Sequence, residues 1–107
     1  MTVEHVTKAG GNIFADLGLP NADELLAKSK LAAVMTRSIR ELGLTQAAAG
    51  ERMGIPQPKL SKILRGRFDG ISETYIADGL RKLGHDVDFH ISPRHEGVGH
   101  SRVIEMA

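Results

Sequence analysis

The side chains best suited to molecular recognition are concentrated near the middle of this chain. Residues 36–67 contain seven Lys or Arg against two Glu, whereas residues 1–24 and 68–107 each carry a net charge of −3. Cationic side chains attract phosphates, so a basic middle between acidic flanks indicates a local site for a polyanion. Charge alone is equally typical of a solvated helix face, so the spacing of the residues must decide between the two.

Two short helices joined by a tight turn are predicted to position these side chains. Thr45 is a favourable N-cap, and the Ala-rich segment 46–53 after it has a high helix propensity. Gly54 is expected to end this helix with a positive φ. A second helix begins near Pro56, because proline is tolerated in a first helical turn, and ends at Gly66.

The second of these helices has one apolar and one polar face. Leu60, Ile63 and Leu64 recur at helical spacing and are predicted to be buried. The first helix offers small residues, Ala49 and Gly50, where the two helices must cross. The opposite face is polar and basic, as expected for a helix that enters the major groove of DNA. That face comprises Gln57, Lys59, Ser61, Lys62 and Arg65.

Segment 45–66 resembles the helix-turn-helix of the Xre and lambda-repressor-like family. The shared pattern is Gln46, small residues at 49 and 50, Gly54, an apolar residue at 55, Gln57, an apolar residue at 60 and Gly66. The flanking segments 12–20 and 83–89 resemble a HigA-like antitoxin subset of that family. The resemblance covers about residues 12–92 and implies a mostly α-helical, lambda-repressor-like bundle of four to five helices.

The resemblance implies a DNA-binding set made of Gln46, Gln57, Pro58, Lys59, Ser61, Lys62, Arg65 and Arg67. Gln46 is implied to hold a phosphate and the neighbouring Gln57, and Gln57 can form two parallel bonds to adenine. Lys59 and Lys62 are suited to guanine or phosphate, Ser61 to a base or phosphate, and Arg65 and Arg67 to phosphate. Pro56 departs from the family pattern, since it replaces a capping Ser, Thr or Asn, and Pro58 stands where the family often has a small or DNA-contacting residue.

Three regions are predicted: an N-terminal arm (1–20), a DNA-binding domain (21–92) and a loose C-terminal tail (93–107). A long helix is expected to begin at Asn21 with a capping box to Glu24 and to end at Gly43. Its apolar face comprises Leu31, Val34, Met35, Ile39 and Leu42. Arg37 and Arg40 on this helix either contact phosphates or only raise solubility. A fourth helix follows Ser72 and ends at Gly84, with Ile76, Leu80 and Leu83 buried.

Residues 86–92 alternate polar and apolar residues, a pattern that predicts a half-buried β-strand. Its apolar residues are Val87, Phe89 and Ile91. We expect this strand to pair antiparallel with the same strand of a second copy, which makes a homodimer able to contact two half-sites about 34 Å apart. Pairing with residues 102–104 or with the N-terminal arm are the alternatives.

Enzymatic and metal-dependent functions are not expected. The chain has no cysteine, which excludes disulfides and thiol chemistry, and it contains no recognisable nucleophile–base frame. His85, His90, His95 and His100 recur every five residues, a spacing that places no pair on one helix face, so no metal or other cofactor is predicted. The longest apolar run, 31–35, is too short for a signal peptide or a membrane span. We therefore expect a cytoplasmic protein that makes no contact with a membrane.

The predicted function is repression of transcription through operator DNA. The HigA-like resemblance implies an antitoxin that autoregulates its own operon and binds a small basic toxin. The toxin would dock either on the apolar arm around Ile13, Phe14, Leu17 and Leu19 or on the acidic outer face of residues 72–90. A stand-alone Xre-type regulator without a toxin partner is the alternative.

Overall fold

The computed structural model describes residues 12–106, which form five α-helices. They are α1 (Ile13–Asp16), α2 (Ala22–Glu41), α3 (Gln46–Met53), α4 (Gln57–Leu64) and α5 (Glu73–Lys82). The prediction of a mostly α-helical bundle of four to five helices is confirmed for this part of the chain. Residues 1–11 of the predicted arm lie outside the described residues.

Side-chain caps begin two of the helices where the sequence predicts them. The Thr45 hydroxyl accepts a hydrogen bond from the Ala48 N–H at 3.1 Å at the start of α3. The Ser72 hydroxyl accepts one from the Tyr75 N–H at 3.0 Å at the start of α5. Both bonds satisfy N–H groups that have no partner within the helix, so local sequence fixes these two boundaries.

The capping box predicted at the start of α2 is not formed. Asn21 occupies the N-cap position but makes no side-chain capping bond. Its backbone, with φ −110° and ψ 35°, departs from the extended conformation that capping residues adopt. The Glu24 carboxylate instead pairs with Lys28 at 2.8 Å, one turn further along the helix. Because the Lys28 side chain is only 9% exposed, this pairing provides a partner for a buried ammonium group.

Helix α2 lies at the centre of the bundle and packs against α1, α4 and α5. The core contains Met35 of α2, Met53 of α3, Leu60 and Ile63 of α4, and Ile76 of α5, all of them at most 1% exposed. The apolar faces predicted for α2 and α5 are buried with two exceptions. Val34 is half-buried, and Leu42 is 44% exposed because it lies at the C-cap, where α2 ends.

The β-strand predicted over residues 86–92 is not formed in the single chain: no residue of 12–106 belongs to a strand. Val87 is half-buried, whereas Phe89 and Ile91 are 79% and 92% exposed. The physical reason is the lack of a backbone partner. Pairing with residues 102–104 is not formed either, and a strand without a neighbour leaves its N–H and C=O groups to water.

Residues 93–107 are predicted to form a loose tail. The last part of this tail contacts α2. The Lys30 ammonium donates a hydrogen bond to the Val103 carbonyl at 3.5 Å, and Arg37 forms an ion pair with Glu105. Val103 is half-buried and packs against the hydrophobic core. The segment before it, residues 88–100, is exposed throughout.

Candidate nucleic-acid interface

The turn between α3 and α4 depends on two glycines and one isoleucine. Gly54 has a φ of 69°, as predicted, and ends α3. Ile55 is only 4% exposed and donates its backbone N–H to the Gly50 carbonyl at 2.8 Å. A Cβ atom on Gly50 would lie 2.6 Å from the Ile55 carbonyl oxygen, so no larger residue fits without a shift of the backbone. This close approach sets the angle at which α4 leaves α3.

The orientation of α4 follows from its buried residues. Leu60 and Ile63 are fully buried, which turns the opposite face of the helix to solvent. Pro58, Lys62 and Arg65 are exposed on that face. A helix held on one side by the core and polar on the other has the arrangement required for insertion into a major groove.

Pro56 and Pro58 are both accommodated at the start of α4. Pro56 is the N-cap, with φ −54° and ψ 137°, and provides no side-chain capping bond, as the sequence predicts. Pro58 lies within the first turn, where a backbone N–H has no partner inside the helix. The missing N–H groups therefore break no helical hydrogen bond, and the fixed φ angles stiffen the end of the helix that carries Gln57.

Gln46 and Gln57 begin the two helices of the motif. Each is the first residue of its helix, α3 and α4 respectively, and each is exposed. Their amide groups make no hydrogen bond with each other within residues 12–106, so the bond implied by the resemblance is absent from this structure. Both amides retain their donors and acceptors at helix N-termini, where the helix dipole favours anions.

The exposed face of α4 and the residues just after the helix carry positive charge that forms no ion pair with a carboxylate of residues 12–106. Within residues 12–106, none of the ion pairs involves Lys59, Lys62, Arg65 or Arg67. Arg65 donates its Nε–H to the Ser61 carbonyl of the same helix at 3.3 Å. This bond aligns the guanidinium group along the helix and leaves its terminal N–H groups for a ligand. The arrangement is suited to phosphate, because Arg presents several donors in one plane.

Lys59 differs from the other basic residues of the predicted set. It is half-buried at the edge of α4, and its ammonium group lies 4.2 Å from the centroid of the Tyr75 ring of α5. A cation over an aromatic face is stabilised by the ring quadrupole. Tyr75 therefore holds the ammonium group of Lys59, a residue of the predicted DNA-binding set, in a contact that the sequence did not predict. Two residues sixteen positions apart, on different helices, share no local pattern that would reveal the contact.

Lys82 makes a second contact that the sequence did not predict. Its ammonium group donates a hydrogen bond to the Met53 carbonyl at 3.2 Å, at the C-terminus of α3. It also lies 3.4 Å from the Asp78 carboxylate. The contact fastens α5 to the turn and places a cation where the dipole of α3 is negative.

The remaining candidates lie outside this face. Arg37 is paired with Glu105, on the part of α2 that contacts the tail, and Arg40 is exposed in the last turn of α2. Val87, Phe89 and Ile91, predicted to form the dimer interface, lie in the irregular segment after α5. Arg67 is exposed three residues beyond Leu64, the last residue of α4, and donates its backbone N–H to the Lys62 carbonyl at 2.9 Å.

No group of three His, Asp or Glu side chains in residues 12–106 is arranged to hold a metal ion. His85 is hydrogen-bonded through Nε2 to the Ser38 hydroxyl at 2.6 Å, and His95 through Nδ1 to the Glu96 carbonyl. In the same part of the chain, no helix has the length and apolar character needed to cross a bilayer.

Comparison with known proteins agrees with this geometry. Residues 13–92 match the family model described as a helix-turn-helix domain, and the chain belongs to that family. A solved structure described as an XRE-family transcriptional regulator is 32% identical, with a TM-score of 0.68. The match covers 82% of this chain and 99% of that one, which makes this chain a member of the XRE family. The comparison with curated proteins gave no match. Together, the findings support DNA binding and transcriptional regulation.

Proposed function

We propose that this protein represses transcription by binding operator DNA as a homodimer, with α4 of each copy in a major groove. The observation that carries the proposal is the exposed face of α4, where basic side chains that pair with no carboxylate of residues 12–106 project from a helix fixed by Leu60 and Ile63. Family membership supports the same conclusion.

In this proposal the side chains divide between bases and phosphates. Gln57 forms two hydrogen bonds with an adenine edge, and Lys62 contacts guanine O6 and N7. Gln46 binds a phosphate at the N-terminus of α3, while Arg65 and Arg67 bind phosphates beyond the other end of α4. Lys59 contacts the phosphate nearest to Tyr75. Phosphate contacts give affinity and fix the register, and base contacts give the sequence preference.

The test is the affinity for the DNA upstream of the protein's own gene, measured by fluorescence anisotropy against a scrambled duplex. We expect Lys62→Ala to weaken operator binding by about 1–3 kcal/mol and to reduce the preference over the scrambled duplex. Arg81→Ala is the matched control, because Arg81 is an exposed cation of α5 that already pairs with Asp78 at 2.7 Å. Equal affinities for both duplexes at low salt would contradict the proposal.

We further propose that the repressor is the antitoxin of a toxin–antitoxin operon and autoregulates it. The resemblance of segments 12–20 and 83–89 to HigA-like antitoxins supports this role, and the arm offers exposed apolar side chains, Leu17 at 69% and Leu19 at 40%.

A small basic protein encoded next to this gene should be toxic when expressed alone and harmless when co-expressed with this chain. If Leu17→Asp with Leu19→Asp leaves neutralisation intact, the acidic outer face of residues 72–90 becomes the docking surface. If the protein encoded by the neighbouring gene is not toxic, this chain is a stand-alone regulator and not an antitoxin.

A further inference from the structure

The outer face of α2 holds the end of the chain in a shallow groove. Ala33 and Val34 contribute its apolar surface, and Lys30 and Arg37 flank it. We call residues 101–106 the tail segment. Val103 packs half-buried in the groove, its carbonyl accepts from Lys30, and Glu105 pairs with Arg37. The groove is thus complementary to an extended segment with an apolar residue and, two positions later, a carboxylate.

The connector, residues 86–100, joins α5 to this tail segment and has few contacts of its own. It forms no regular secondary structure, and all of its residues except Val87 are exposed. Phe89, Ile91 and Val98 are 79%, 92% and 98% exposed. Exposed apolar side chains are unfavourable in water, and Phe89 and Ile91 lie only two residues apart, which favours burial of this pair against another surface.

The connector is also much longer than its path requires. It begins after His85, which is fastened to Ser38 of α2 at 2.6 Å, and the tail segment begins beside Asp23 and Leu26 of the same helix. Residues 23–38 of an α-helix span about 22 Å, whereas fifteen extended residues span about 50 Å. Irregular connections of this length are uncommon in compact domains unless they serve a function.

We propose that two copies of this chain exchange their tail segments, so that the tail segment of each copy lies in the α2 groove of the other. The inference rests on the proposed homodimer and specifies how it is built. The exchange keeps every groove contact, because the same residues meet from a different copy. The two connectors then cross, and residues 86–92 pair antiparallel about the two-fold axis. This pairing provides backbone partners and covers Phe89 and Ile91, which the single chain leaves exposed.

Cross-linking distinguishes exchange from docking within one chain. The chain has no cysteine, so Val34→Cys with Val103→Cys places the only two thiols in the groove and on the tail segment. The variant is treated with a short bis-maleimide and analysed by denaturing mass spectrometry, while light scattering of the untreated protein gives its oligomeric state. We expect a covalent dimer with two bridges as the main product.

A monomer closed by one internal bridge would overturn the exchange, and so would the absence of any bridge. Light scattering separates this failure from that of the homodimer, since a dimer with internal bridges remains a dimer, and DNA binding is measured independently. Val34→Cys with Val98→Cys is the control, because Val98 is exposed on the connector. An equal yield of covalent dimer from this control would also overturn the proposal. If the circular dichroism shows that the first pair does not fold, Arg37→Cys with Glu105→Cys repeats the test, because these two partly exposed side chains pair across the groove.

Discussion

At the scale of single residues, Gly50 leaves no space for a side chain at the crossing of the helix-turn-helix. A Cβ atom there would lie 2.6 Å from the Ile55 carbonyl oxygen, a backbone atom that cannot rotate away. We expect Gly50→Ala to lower the free energy of unfolding by about 1–3 kcal/mol, in the range of an overpacked core. Urea denaturation measures the change. Gly99→Ala is the control, because the nearest atom to its added Cβ is 3.8 Å away, and a loss of equal size in both variants would refute the steric argument.

Two polar N-cap residues, Thr45 and Asn21, differ in whether they make a capping bond. Thr45 makes its capping bond, whereas Asn21 makes none. Thr45→Ala should therefore cost about 1 kcal/mol of stability, and Asn21→Ala only a few tenths. Thermal unfolding followed by circular dichroism measures both. Equal losses would mean that the capping bond at Thr45 does not stabilise the folded state.

Residue-scale features differ in how far the sequence reveals them. Thr45, Ser72 and Gly54 act on backbone groups within four residues, so their roles follow from local sequence and are confirmed. Lys59 and Tyr75 meet only because α4 and α5 are neighbours in the fold. Such a contact depends on tertiary packing, which no spacing rule along the chain encodes.

At the scale of helices, Lys82 couples α5 to the end of α3. Its hydrogen bond to the Met53 carbonyl joins two helices that are not consecutive in the sequence. We expect Lys82→Ala to cost about 1 kcal/mol of stability, since it removes a charge-assisted bond at a helix C-terminus. Chemical denaturation provides the measurement.

Arg81→Ala is the matched control for Lys82→Ala. Arg81 precedes Lys82 and pairs with the same Asp78, but among residues 12–106 its side chain bonds to no residue outside α5. Its removal should cost less than about 0.5 kcal/mol, as expected for an exposed ion pair. If both variants lose the same stability, the contribution comes from Asp78 and not from the link to α3.

The elements of the fold also differ in how far the sequence predicts them. Helices α2 to α5 were predictable, since a helix forms its hydrogen bonds within itself and its apolar period shows which face is buried. The strand over 86–92 was not, because a strand forms its hydrogen bonds with another segment. The alternation of Val87, Phe89 and Ile91 carries no information about where that segment lies. The docking of Val103 was equally hidden, since one apolar residue forms no period.

At the scale of the whole molecule, the salt dependence of DNA binding reports how many phosphates are contacted by Lys and Arg side chains. If each copy contacts three phosphates through Lys59, Arg65 and Arg67, a dimer contacts about six. The logarithm of the association constant should then fall with that of the salt concentration with a slope of about −5. Titrations at several salt concentrations measure it. A slope of about −3 would show that only one copy contacts the DNA.

The position of Tyr75 against Lys59 has a practical consequence. It is the only tyrosine of the chain, which contains no tryptophan, so the intrinsic fluorescence of the protein comes from one ring beside the helix proposed to enter the groove. Any movement of Lys59 from that ring towards a phosphate changes the surroundings of this single fluorophore. The protein therefore carries its own optical reporter, and the rate at which α4 engages an operator can be followed by stopped-flow emission without a dye.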